Sequence, residues 1–279
     1  MSDLPTLIGL PYDASSSFRR GAAAAPPFIR SAFHSASSNA WSEVGVEILE
    51  GSSFADAGDL RLPATGEARG LIEAAIRKIV ARRDRPVSLG GDHSVTYPIL
   101  RAVGPAHPGL TILQIDAHPD LYDCFEGDRY SHACPFARIL EENLATRLVQ
   151  VGIRTSTAHQ REQAARFAVE VIDMRAFDAG TRPTIDTPVY VSIDLDGLDP
   201  AFAPGVSHLE PGGLTVRNVI DIIQRLPGPI VGADVVELNP SRDPSGVTAM
   251  VAAKLVRELI SRMIEQMPGA GHQVPVPSG

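Results

Sequence analysis

Several short apolar runs in this chain break directly into aspartate and histidine, and no other feature constrains its folding as much. The apolar runs fall at residues 7–10, 87–89, 110–115, 148–151, 169–172, 189–193 and 230–236, and amphipathic stretches separate most of them. Strands that are apolar along both faces belong to a parallel sheet covered by helices on both sides. Helices are expected at 64–83, 97–103, 131–142, 157–167, 215–226 and 245–267, with a short one at 29–33 after Pro26 and Pro27. The last is the most regular: Ala249, Ala252, Ala253, Leu255, Val256, Leu259, Ile260 and Met263 recur near a helical period, with Lys254, Arg257, Glu258 and Arg262 between them. It is expected to lie on the surface of the sheet, and residues 51–66 read as an irregular connection.

In a wound parallel sheet, ligands bind beyond the carboxyl ends of the strands. There the run 110–115 delivers Asp116, His118 and Asp120, which share one side if the chain stays extended. The run 189–193 delivers Asp194 and Asp196, and the run 87–89 delivers Gly90, Gly91, Asp92 and His93. Taken singly, Asp116 reads as a helix cap, His118 as a surface residue and His93 as a satisfied core histidine. Together, four carboxylates and two imidazoles carry too much negative charge for one ion. They suit two divalent cations about 3.5–4 Å apart that share an activated water. Oxygen-rich ligation without thiolate favours Mn²⁺ on softness, although affinity order alone favours Ni²⁺ or Zn²⁺.

A chain of 279 residues with 44% hydrophobic content can bury one sizeable core, so a single domain over 1–267 is expected, followed by a loose Pro- and Gly-rich tail at 268–279. Two cysteines, Cys124 and Cys134, are too few for a disulfide framework and suggest a reducing, cytoplasmic setting. A net charge of −8 argues against nucleic acid as a partner. No run reaches membrane-spanning length, and the first residues lack the pattern of a signal peptide.

The motifs GGDHS at 90–94, DAHPD at 116–120 and SIDLDGLDP at 192–200 resemble the metal signatures of the ureohydrolase family of arginases and agmatinases. The text between them, including DAHPDLYDCFEGDRYSHACPFARI and VVELNPSRDPSGVTAMVAAKLVREL, is most similar to the plant-type arginase branch. This resemblance implies a three-layer α/β/α fold around a mainly parallel sheet, and two Mn²⁺ ions per subunit. It also implies hydrolysis of a small guanidino substrate to urea and an amine, and a homo-oligomer, trimeric or hexameric. By position, Asp116 and Asp194 match ligands of both metals, His93 and Asp120 ligands of one, and His118 and Asp196 ligands of the other. Asp120 thus joins His132 and Glu237 as a catalytic group. His132 matches a proton-shuttling histidine, as its ordinary pKa near 6.5 suits, and Glu237 matches the carboxylate that pairs with the guanidinium.

Substrate choice lies in the loops. Tyr122 stands where animal-type arginases place an asparagine for the α-carboxylate, and His208 where many relatives carry threonine. The whole-chain resemblance favours L-arginine, with agmatine or a guanidino acid such as guanidinobutyrate as alternatives. A single-zinc deacetylase is disfavoured because no adjacent histidine pair occurs.

Overall fold

The computed structural model describes residues 3–267; the tail expected at 268–279 lies outside them. Eight parallel strands form one sheet in the order β2-β1-β3-β8-β7-β4-β5-β6. They are β1 (Pro5–Gly9), β2 (Ala55–Asp59), β3 (Arg85–Leu89), β4 (Thr111–Ile115), β5 (Arg147–Val151), β6 (Glu170–Ile172), β7 (Val189–Asp194) and β8 (Ile230–Val236). The expected parallel sheet is present, with one more strand than the apolar runs reveal. β2 lies inside the stretch read as irregular, because ADAGD has no apolar run and pairs only with β1 at the sheet edge.

Helices cover both faces. Leu7, Val87, Leu89, Leu113, Ile115, Val191 and Val235 pack on one side with α1 (Ala25–Phe33), α7 (Val216–Arg225) and α8 (Val247–Glu265). Ile8, Leu10, Ile112, Leu148 and Tyr190 pack on the other with α2 (Glu67–Ala81), α3 (Thr96–Val103) and α4 (Pro135–Glu141). Every residue of β1, β4, β7 and β8 is buried, which explains why these strands read as continuous apolar runs rather than alternating ones.

Local chemistry sets the helix ends. Thr157 and Thr215 cap α5 (Ala158–Arg166) and α7 through reciprocal boxes with Gln160 and Asn218, so both helices begin one residue later than their periodicity suggests. Pro135 opens α4 three residues beyond His132, which leaves that histidine in the preceding loop rather than in the helix expected from 131. A short α6 (Met174–Asp178), capped by Asp173, has no counterpart in the sequence reading. Helix α8 is more enclosed than a surface helix. Arg257 donates to the Phe33 carbonyl, and Glu258 accepts from the Glu43 amide, Gln224 and Lys254. No helix among the described residues is long and apolar enough to cross a membrane.

Candidate metal centre

The four central strands, β3, β8, β7 and β4, end side by side, and each stops in the same local device. An Asx side chain accepts the amide two residues on: Asp92 from Ser94, Asp116 from His118, Asp194 from Asp196 and Asn239 from Ser241, at 2.7–3.2 Å. The extended geometry assumed for 116–120 therefore does not persist. The chain turns at once after Ile115, and Asp120 adopts a left-handed backbone with φ 49°. The turns nonetheless bring the expected residues together. Gly197 lets two of them pack, since a Cβ there would stand 2.8 Å from the Asp116 amide nitrogen.

His93 is fully buried, and its Nδ1 lies 3.1 Å from Asp116 Oδ2, 3.0 Å from Asp120 Oδ2 and 3.2 Å from Asp194 Oδ2. Despite those distances, Nδ1 makes no hydrogen bond. Beside it, His118 Nδ1 lies 3.1 Å from Asp196 Oδ2 and 3.6 Å from Asp116 Oδ1. Two ligand triads result, His93 with Asp116 and Asp194, and Asp116 with His118 and Asp196, so Asp116 belongs to both. A buried ring nitrogen without a hydrogen bond, ringed by three carboxylate oxygens, fits a divalent cation of the oxygen- and imidazole-binding kind.

Electrostatics point the same way. Burial, then the charge of Asp116, pushes Asp120 up to about 6. Burial, with the charges of Asp196 and Asp116, pushes Asp194 far above the carboxylate range. Burial disfavours charge on His93 and His118, yet the surrounding carboxylates drive both imidazoles upward. Repelling carboxylates and imidazoles forced toward protonation are what a bound cation relieves.

Next to the triads, His132 Nδ1 lies 3.0 Å from Glu237 Oε1, and His132 Nε2 lies 2.9 Å from Ser17 Oγ. Glu237 follows β8 with φ 66°, and its Oε1 also accepts the His93 amide at 3.0 Å. Burial would lower His132, but the hydrogen bond and charge of Glu237 hold it up at about 9. The same contact holds Glu237 below its ordinary value against burial.

These groups face a cavity of about 200 Å³ that is also lined by Ser17, Tyr122, Thr155, Thr157, Gln160 and His208. Its lining includes no lysine or arginine. The Tyr122 ring stacks on His159 with an 11° interplanar angle, while the His208 ring packs against Phe18, His118 and His132. A larger cleft of about 530 Å³ runs beside it past Ile153, Arg154 and Arg175, but none of the six metal-ligand candidates lines it. Chemistry, not size, selects the smaller cavity.

Sequence reasoning missed the layer beneath the ligands. Gln150, Gln114, Ser192, Asp234 and Ser88 occupy one register row across β5, β4, β7, β8 and β3, and all five are fully buried. Gln150 Nε2 donates to Gln114 Oε1, and Gln114 Nε2 donates to Asp116 Oδ2, both at 2.7 Å. The only signal was an isolated polar residue within each mostly apolar run.

The arginase family model matches residues 5–261. A relative from Arabidopsis thaliana named "Arginase 1, mitochondrial" is 47% identical, with 92% of this chain and 80% of that protein covered. The solved arginase from Medicago truncatula superposes with a TM-score of 0.89 at 45% identity, covering 94% of this chain and 88% of that one. An agmatinase from Bacillus anthracis is 34% identical over 91% of this chain and 90% of its own length. The cytoplasmic expectation is corrected here, since the Arabidopsis relative is named mitochondrial. A low cysteine count separates reducing from oxidising surroundings without telling one reducing compartment from another. With the fold, the paired ligand triads and a family match along nearly all the described residues, the chain belongs to the arginase family.

Proposed function

We propose that this protein hydrolyses L-arginine to L-ornithine and urea at a pair of Mn²⁺ ions. The observation that carries the reading is the sharing of Asp116 between two ligand triads, beside the His132–Glu237 pair. His93 and Asp120 would hold one ion, His118 and Asp196 the other, and Asp116 and Asp194 both. When bound, such a pair supplies water ionised at neutral pH, the nucleophile that a resonance-stabilised guanidinium requires.

The protein's own groups do the rest. Both protein hydrogen bonds on Glu237 fall on Oε1, which leaves its other oxygen without a protein donor and open to a guanidinium N–H. His132, held up at about 9, carries a proton at neutral pH and delivers it to the departing amine as the C–N bond breaks. Asp120, with its oxygen 3.0 Å from His93 Nδ1, would help hold the ion on that side. Tyr122 and His208 shape the mouth, and residues 1–267 act as one catalytic domain within a trimer or hexamer.

Agmatine is the second reading, favoured by a cavity lining that offers no lysine or arginine for an α-carboxylate. The test is urea release by Mn²⁺-loaded protein from arginine, agmatine, guanidinobutyrate and guanidinopropionate, with a chelated control. A Mn²⁺-dependent preference for arginine supports the first reading, a preference for agmatine replaces it with the second, and no urea from any substrate overturns both.

A further inference from the structure

Asp234 is a fully buried carboxylate inside β8, in the register row two residues before the ligands Asp116 and Asp194, and the proposed reaction gives it no role. Every hydrogen bond it makes comes from a hydroxyl. Tyr190 Oη donates to Oδ2 at 2.8 Å, Thr96 Oγ1 donates to Oδ2 at 2.9 Å, and Ser192 Oγ donates to Oδ1 at 2.6 Å. Isolated at the centre of a sheet, a carboxylate is costly, and an apolar residue would fill the row at less expense.

The Ser192 contact gives the carboxylate a use. Ser192 Oγ also lies 2.9 Å from His93 Nε2. A serine hydroxyl has one hydrogen, and here it is directed at Asp234, so the oxygen accepts from His93. In the neutral ring that a metal ion requires, the proton therefore sits on Nε2, which leaves the lone pair on Nδ1, the nitrogen ringed by Asp116, Asp120 and Asp194. Phe136 packs edge-on against the same ring at 5.2 Å between centroids and restrains its rotation.

We propose that Asp234 is a positioning residue that acts through Ser192 to hold His93 with Nδ1 free for a metal ion. A carboxylate at the far end of such a chain also makes the ring a stronger donor to the metal. The inference rests on the reading of the cluster as a two-cation site. An asparagine at 234 breaks the chain, because its amide can point N–H toward Ser192, turn the serine hydrogen onto His93 Nε2 and move the ring proton to Nδ1.

The experiment is Mn²⁺ titration of the metal-stripped full-length protein by calorimetry, together with the electron paramagnetic resonance of the Mn²⁺-loaded protein, for wild type, Asp234→Asn and Ser192→Ala. Ser192→Ala removes the link with a smaller perturbation and keeps the test open if Asp234→Asn fails to fold. Wild type is expected to take up two ions and give the spectrum of an exchange-coupled pair. Each folded variant should bind one of the two ions roughly 10- to 100-fold more weakly. At the Mn²⁺ level that saturates wild type, it should give the six-line spectrum of an isolated ion. Unchanged affinities and a coupled spectrum in both variants would overturn the role of Asp234 and leave the two-cation reading intact. Failure of wild type itself to bind two ions would overturn that reading and this proposal with it.

Discussion

His132 Nδ1 and Glu237 Oε1 meet at 3.0 Å across two loops more than a hundred residues apart, and the glutamate reaches that position from a left-handed backbone with φ 66°. A non-glycine residue held there costs on the order of 1–3 kcal/mol, and such strain concentrates at functional sites. The pair orients an imidazole toward the cavity and keeps it charged.

Replacing His132 with asparagine keeps a polar group of similar size but removes the transferable proton. We expect kcat for urea release to fall by roughly 10²–10⁴-fold with KM little changed, measured in steady-state assays. A variant that loses affinity while keeping kcat would assign His132 to substrate binding alone.

Glu237→Gln should leave His132 without its counter-charge and the guanidinium without a carboxylate. Truncating a buried charge pair costs about 2–5 kcal/mol, so kcat/KM should fall by roughly 30-fold or more. The His132 pKa, followed by NMR, should also drop from about 9, because the glutamate is what holds it up.

The raised pKa of Asp194 predicts a trade between stability and function. A buried carboxylate pushed above its unfolded value destabilises the metal-free fold at pH values above the unfolded pKa. Asp194→Asn removes that repulsion, so the metal-free variant should melt at or above the temperature of metal-free wild type. It should lose both the Mn²⁺-dependent rise in Tm and urea release. A metal-free variant that melts well below wild type would contradict the repulsion argument.

The two cysteines should differ sharply in reactivity. Cys134 is buried, and burial with the charge of nearby Asp120 pushes its thiol up to about 12, whereas Cys124 is exposed. At pH 8 the native protein should react with one equivalent of a thiol reagent, and the unfolded protein with two.

Glu43 ties a loop to two helices, with Arg217 of α7 and Lys254 of α8 as partners. The hydrogen bond from Arg217 leads in pulling its pKa down to about 2, against burial. A depressed carboxylate adds stability above its unfolded pKa and loses it as pH falls through the folded value. Glu43→Gln should therefore melt below wild type at pH 7, and the gap should narrow between about 4.5 and 2. A gap that stays constant over this window would show that charge is not its source.

The strands that carry the ligands were readable because burial on both faces writes them as apolar runs, and the ligands were readable because aspartate and histidine interrupt those runs abruptly. β2 was not readable, since ADAGD owes its strand state to pairing with β1 rather than to its own side chains. The grouping of Asp116, His118 and Asp120 followed from a period-two argument, yet the structure reaches it through a turn and a left-handed Asp120. Tertiary geometry of that kind leaves no periodic trace. Asp234 and Ser192 were hidden for another reason: one polar residue in a strand usually marks a solvated face, and only the register across five strands reveals a continuous buried row.

The Asx turns at the ends of β3, β4, β7 and β8 separate two kinds of evolutionary freedom. Because each turn begins within three residues of its strand and is closed by its own side chain, the ligands held in these turns depend little on how the chain continues afterwards. Substitutions beyond Asp120, in the stretch that carries Tyr122, can therefore accumulate while the metal-ligand positions stay fixed, provided the loop still returns His132 to Glu237. A lineage built this way can exchange one guanidino compound for another by rewriting a surface loop, without passing through an inactive ancestor.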